Sequence, residues 1–596
     1  MKENNNEWDL KQILDLDNFQ TDEILSNLLE KANSIQDLYK NKIDSDEITA
    51  DTLLPLLEEY ESLEEELSNI HDFIFLSLSI DFKNTEILNL KSKFDKINNE
   101  IRNKLSFIRI ELGNLLSKKR DLIYSEELAN YQNYLHNIKL KQPYLLSDSE
   151  ENIINDLNVS GVNAWSQLQK NWLSSKKFNM EIDGENQDYS FFDALTFMRN
   201  PDPIIRRDAM IQTMDEIQRD GEIYASSLRA ICNNHSLISK RRGYKNALSP
   251  SIQRNEINED ILDNLIAVVI ENKDIFQETL KIKAKLMGRT TLQGEDLWAP
   301  IPQKNLKEFS WQEANKLVSD SLNDFDEEFL EIANLILNNN LIDAFPRKGK
   351  VLGGFCLSNI KNKFPYIFLN YRGTLGDVRT LAHELGHGIH AYYTMNNQTY
   401  LNAGFTSVMS EVASEFSNFL LSEKLLRSAD EETKREFLFE QLYDLCITIF
   451  KVASRLIFEK NLYIAIEQNE YLIPEKISEL YLESRKQLFG DAIEFLPGQS
   501  YDWCWTSHYF FPCRRFENYP YVTAELFVLS LFRKYKEEGN HTFIPKFKTL
   551  LSYGTSKDTI SLVKEIFDLN LSNKKFWEIG MREMRSMLEE VKKLYS

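Results

Sequence analysis

The chain has 596 residues, 42% of them hydrophobic and 27% charged, the balance of a soluble globular protein and not of a disordered one; it is too long for one compact core, so two or more lobes are expected. Its 92 acidic and 70 basic residues give a net charge of −22, which argues against a nucleic-acid binder, because phosphate contacts need clustered cations. Only 20 glycines and 14 prolines interrupt it, so the long Leu/Ile/Glu/Lys-rich stretches point to a mainly helical fold.

The start, MKENNNEWDLKQILDLDNF, has no apolar signal core. No window approaches the roughly eighteen uninterrupted apolar residues of a membrane span. The cysteines (Cys232, Cys356, Cys446, Cys504 and Cys513) are odd in number, widely spaced and without a CxxC pair. That pattern fits reduced thiols, so a cytoplasmic protein with no membrane partner is expected.

Residues 1–115 read as an N-terminal set of amphipathic helices. ILSNLLEKANSIQDLY and LLPLLEEYESLEEELSNIHDFIFLSL place apolar residues three and four apart. Residues 116–185 read as a further helical segment, ending at the polar stretch EIDGENQDY, a candidate lobe boundary. Residues 200–596 form the remaining region. PDPIIRRDAMIQTMDEIQ opens with prolines suited to a helix start. INEDILDNLIAVVIENKDIFQETLKIKAKLMG has the period of two helices. Then FPYIFLNYRG, a β-branched and aromatic run between Pro365 and Gly373, reads as a strand. LGDVRTLAHELGHGIHAYYTM follows as a helix, capped by Thr374 or Asp377. A small sheet is therefore expected just before that helix.

That helix carries H-E-L-G-H from His383 to His387. Residues four apart on a helix share a face, so both imidazoles can converge on one metal. Glu384 is rotated off that face, where it can reach a metal-bound water without binding the metal. His390 lies on a neighbouring face and reads as packing. A catalytic zinc takes three protein ligands and keeps one position open. TSVMSEVASEFSNFLLSEKLL reads as the next helix, capped by Thr406 or Ser407, and carries Glu411 and Glu415 one turn apart. A carboxylate in so apolar a helix is costly unless paired or metal-bound. Glu411 is taken as the third ligand, and Glu415 as the residue that orients a ligating imidazole. Two histidines and a carboxylate suit one zinc per chain better than magnesium or calcium, which prefer oxygen.

GTLGDVRTLAHELGHGIHAYY followed by SEVASEFSNFL resembles the oligoendopeptidase F branch of the thimet-oligopeptidase family of zinc metallopeptidases. RRGYKNALSPSIQRNEINEDILDNLI, EDLWAPIP and GGFCLSNIKNKFPYIFLNYRGTL are similar to the same branch. The resemblance implies His383, His387 and Glu411 as ligands and Glu384 as base. It makes 116–185 the family's N-terminal helical segment and 200–596 the catalytic domain. It also implies two helical lobes around a deep channel and internal cleavage of oligopeptides there.

SHYFFPCRRFENYPYVTAELF gathers His508, Tyr509, Tyr519 and Tyr521. Such donors stabilise an oxyanion, and the family uses a histidine and tyrosines of this region in that way. His508, Tyr521 and Tyr519 are the candidates, with Glu525 standing where relatives often carry tyrosine. The likeness further implies that Gly353, Gly354, Phe355 and Tyr366, with the strand Pro365–Tyr371, form a sheet edge that pairs with extended peptide backbone. Two other readings of the chain are dipeptide trimming from a free C-terminus by the same chemistry, and a silent peptide-binding protein. The residues leave the oligomeric state open.

Overall fold

The computed structural model describes residues 6–16, 21–182, 185–301 and 308–595. These residues are mainly helical, with three small sheets among them, and no helix among them is long and apolar enough to cross a membrane. The chain forms two compact units. One comprises residues up to 143, 306–429 and 531–570; the other comprises 144–305, 430–530 and 571–596. The polar stretch expected to close a lobe near 185 instead contributes to an antiparallel strand pair, Phe178–Ile182 with Glu185–Tyr189. Asp183 and Gly184 of that stretch lie outside the described residues. The units divide between Pro143 and Tyr144.

In the first unit the helices Thr21–Tyr39, Ala50–Ile80 and Thr85–Lys118 each bury an apolar stripe, as their spacing requires. The unit also holds the sheet and the two helices of the metal-ligand motif. We label these β1 (Ile342–Asp343), β2 (Phe355–Asn359), β3 (Phe364–Phe368), α1 (Leu375–Asn397) and α2 (Val412–Ser428). The sheet order is β1-β3-β2, with β3 parallel to β1 and antiparallel to β2. Pro365 sits within the central strand, where a missing N–H would normally cost a ladder bond. It is tolerated because β1 pairs only with Ile367 and Phe368.

α1 begins where its sequence says. Thr374 Oγ1 accepts from the Asp377 N–H at 3.1 Å, and Asp377 Oδ2 accepts from the Thr374 N–H at 2.9 Å, a reciprocal capping box. Gly373 just before it has φ +96°, and a Cβ there would lie 3.1 Å from the Phe309 carbonyl oxygen. Gly386, inside the HELGH motif, decides how closely α2 approaches. A Cβ at 386 would lie 2.5 Å from Ala413 O and 2.7 Å from Ser417 Oγ, so the two helices touch backbone to backbone. Behind α2, Phe416 packs on Phe547 and Phe543 with ring centres 4.5 and 5.6 Å apart. Aromatic burial on one side and the glycine on the other fix where α2 lies.

In the second unit Asp202 caps the helix Pro203–Arg219, with proline in its first turn, and the helical run after 258 divides into Glu259–Glu271 and Lys273–Leu286. The segment before the helix Tyr519–Glu538 is held by a buried ion pair. Arg515 lies 3.3 Å from Glu459 and donates through Nε to Tyr463 Oη at 2.8 Å. Glu459 also accepts from the Phe516 N–H at 2.9 Å. A buried charge pair with its remaining groups bonded fixes one backbone path, here the path that presents Tyr519 and Tyr521.

A candidate metal centre

α1 presents His383 and His387 one turn apart, with Nε2 atoms 3.1 Å from each other. Glu411 Oε2 lies 3.4 Å from each of those nitrogens. The three donors therefore form a nearly equilateral triangle able to hold a metal ion. Glu411 is not inside a helix as its sequence context suggests. Residues 407–411 are tight turns, with the Met409 and Ser410 N–H groups both bonded to Thr406 O at 3.0 and 2.9 Å. Neither Thr406 nor Ser407 caps the helix; Glu411 itself occupies the N-cap of α2. An anion is favoured there by the helix dipole, so the carboxylate is less costly than in a helix interior. Ser414 Oγ donates to Glu411 Oε2 at 3.0 Å.

Glu415, one turn on, accepts from His383 Nδ1 at 3.1 Å. This bond leaves the Nε2 lone pair of His383 directed at the triangle. Asn418 Nδ2 donates to Glu415 Oε2 at 3.2 Å. Ser414 and Asn418 were missed in the sequence, although each stands three residues after the glutamate it serves, the spacing at which helical side chains meet.

The charges of this cluster are strongly coupled. Burial would lower the His383 pKa, but the bond and charge of Glu415, then the charges of Glu384 and Glu411, raise it to about 9. Burial would raise Glu411, but the bond and charge of His387 and the charge of His383 hold it down to about 2. Carboxylates surround a site that favours positive charge, and a divalent cation can take the place of the proton. Glu384, 5% exposed, has its pKa raised chiefly by burial, and its Oε2 has no hydrogen-bond partner. It points toward the sheet: a Cβ on exposed Gly354 would lie 3.3 Å from Glu384 Oε1. His390 is buried against Phe405, ring centres 4.1 Å apart, and burial lowers its pKa to about 3, so it packs as a neutral ring.

The expected peptide-pairing edge needs correction. β3 is the central strand, bonded on both sides, so Pro365–Tyr371 is not an edge. Tyr366 is completely buried, packed edge-on against Trp8, and cannot touch a substrate. The outer strand is β2, which begins at half-exposed Phe355 directly after the exposed Gly353 and Gly354.

The second unit separates the aromatic candidates. Tyr509 is wholly buried. Tyr519 is 1% exposed, and its hydroxyl accepts from Asn255 Nδ2 at 2.7 Å and lies 3.1 Å from Ser251 Oγ. Its hydroxyl is spent in the core, so it is not available to an oxyanion. Tyr521 is 51% exposed, with its hydroxyl 3.4 Å from His508 Nε2. Glu525 is buried in the same helix.

Residues 196–583 match the model of peptidase family M3, and residues 117–178 match that of oligopeptidase F. The oligoendopeptidase F homolog of Borreliella burgdorferi is 24% identical over 554 residues, covering 92% of each chain. A crystal structure from Chlamydophila abortus superposes with a TM-score of 0.86 at 22% identity, over 99% of this chain and 98% of that one. Oligoendopeptidase-F from Enterococcus faecium gives a TM-score of 0.71 at 19% identity, over 96% of this chain and 97% of that one.

Proposed function

The chain belongs to peptidase family M3, a metallo-endopeptidase acting on oligopeptides, and on that premise we propose that it hydrolyses internal bonds of short peptides with one zinc ion held by His383, His387 and Glu411. The observation that carries this reading is the donor triangle of 3.1, 3.4 and 3.4 Å. Ligands placed tetrahedrally at zinc's bond lengths of about 2.0–2.1 Å lie about 3.3–3.4 Å apart. Two imidazoles and one carboxylate, with a further position left for water or substrate, are the donor set of a catalytic zinc.

Bound zinc supplies a Lewis acid that acidifies water and polarises the scissile carbonyl. Glu384 accepts the proton of the attacking water and delivers it to the leaving amine. A burial-raised pKa suits both halves of that transfer. Glu415 holds the His383 ring in the tautomer whose Nε2 is a donor to metal. Phe355 and the two glycines before it receive the peptide backbone along the outer strand β2. His508 and Tyr521 stabilise the developing oxyanion. Five unpaired thiols support a cytoplasmic location.

Digestion of a mixed peptide library, read by mass spectrometry, tests this reading. Internal cuts are expected, abolished by chelation and restored by zinc; full activity in metal-free protein would sink the zinc assignment. Tyr521→Phe is expected to lower kcat roughly a hundredfold with KM little changed. Tyr519→Phe should instead lower stability by about 1–3 kcal/mol, by stripping a partner from buried Asn255. Thermal melting beside steady-state kinetics separates the two, and the opposite pattern would exchange the roles.

A further inference from the structure

The second unit contains a cavity of about 290 Å³ walled by Phe191, Trp298 and Trp505, with Arg199, Arg455 and His508 also on its lining. Its chemistry is unusual for a chain of net charge −22. None of the residues lining it is acidic. Arg455 Nε is buried with no hydrogen-bond partner. Arg199 lies over the Trp298 ring at 5.7 Å, and the Lys451 ammonium lies over the same ring at 3.9 Å. Among the described residues none of these three cations has a carboxylate partner. The charge of buried Asp502 is felt by both Lys451 and Arg455, but its Oδ2 accepts from Arg485 at 2.7 Å and it bonds neither of them.

Cations gathered in a half-buried aromatic pocket repel one another and lose hydration. Burial, then the charges of Arg455 and Arg485, push the pKa of Lys451 well down, with Asp502 opposing them. Burial and Arg455 likewise lower the pKa of His508. An arrangement of this kind is stabilised when an anion enters. Guanidinium groups bind carboxylates through paired, directed bonds, and the indole and phenyl walls suit an apolar side chain beside that carboxylate.

We propose that this pocket is a carboxylate-recognition subsite for peptide, in which Arg455, assisted by Arg199, binds the carboxylate while Trp298, Trp505 and Phe191 hold the neighbouring apolar side chain. It rests on the peptidase reading above and adds a preference to it: substrates carrying a carboxylate within reach of His508 bind more tightly. The carboxylate is either a free C-terminus or an acidic side chain.

The test measures binding rather than turnover, so it does not depend on catalysis. The probes are three N-acetylated tripeptides: Ala-Ala-Phe as free acid, Ala-Ala-Phe as amide, and Ala-Glu-Phe as amide. Each is titrated into zinc-loaded Glu384→Gln protein, with tryptophan fluorescence as the signal. The free acid is expected to bind at least about tenfold more tightly than its amide, a difference of about 1.4 kcal/mol. Adding Arg455→Gln should collapse that ratio to about one, whereas Arg455→Lys should keep much of it. Should the Glu-containing amide alone outbind the Ala-Ala-Phe amide, with the free acid no better than that amide, the carboxylate read is a side chain rather than the terminus. Equal affinities for all three probes overturn the proposal with no variant needed. A wild-type enzyme that leaves both free-acid and amidated peptides of every length uncut, with zinc present, would instead overturn the peptidase reading.

Discussion

Glu384→Gln is expected to lower turnover by at least about a hundredfold, the scale of a lost general base, while the purified protein still carries about one zinc per chain. The geometry separates the two functions. The metal donors are His383 Nε2, His387 Nε2 and Glu411 Oε2, and the Glu384 carboxylate is not among them. Its Oε2 is buried without a partner and its Oε1 faces Gly354. Glutamine fills the same volume, so packing around α1 is preserved and only the proton acceptor is lost. Metal analysis by mass spectrometry beside cleavage of a quenched fluorescent peptide makes the comparison. Wild-type turnover in this variant would remove Glu384 from the mechanism.

Glu411→Ala is expected to act in the opposite order, losing the metal first and activity as a consequence. The substitution removes one of three donors, the carboxylate that faces both ligating nitrogens. Changing a residue that merely orients a ligand typically weakens metal binding about 10–100-fold, so losing a ligand should exceed that. Glu415→Ala supplies the internal scale. It removes no metal donor, only the bonds from His383 Nδ1 and Asn418 Nδ2, and should fall within the smaller range. Competition with a fluorescent zinc chelator gives both affinities. If Glu411→Ala kept its zinc while Glu415→Ala lost it, the third ligand would be Glu415.

How far these features were legible in the sequence depends on their range along the chain. The helical character of the chain, the start of α1 at Thr374 and the shared face of His383 and His387 all follow from residues within about one turn of each other. Helical periodicity and capping are local, so composition and spacing determine them. The service of Ser414 and Asn418 to Glu411 and Glu415 has the same three-residue origin, and was readable in principle. The packing of α1 was partly written as well: Gly386 and Gly388 mark the faces that meet α2 and the helix Glu327–Asn338, where Cβ atoms would clash with Ala413 O and Ile336 Cδ1.

What spacing could not decide is where segments lie when distant residues compete for them. The run from Thr406 has helical composition, yet the turns through Ser410 delay α2 until Val412 and place Glu411 at its N-cap. The strand FPYIF looks like an edge in isolation, but β1 and β2 cover it on both sides and leave β2 outermost. Tyr519 and Tyr521 are two residues apart with equivalent chemistry in sequence. Only burial against Asn255 and Ser251 retires the first, and only exposure beside His508 keeps the second. The sequence by itself determined the ligand types and their helical phase, because those are set by neighbours on the same turn. The tertiary structure alone decided which hydroxyl is available, which strand is outermost and where Glu411 stands, because burial and partnership are properties of the packed chain.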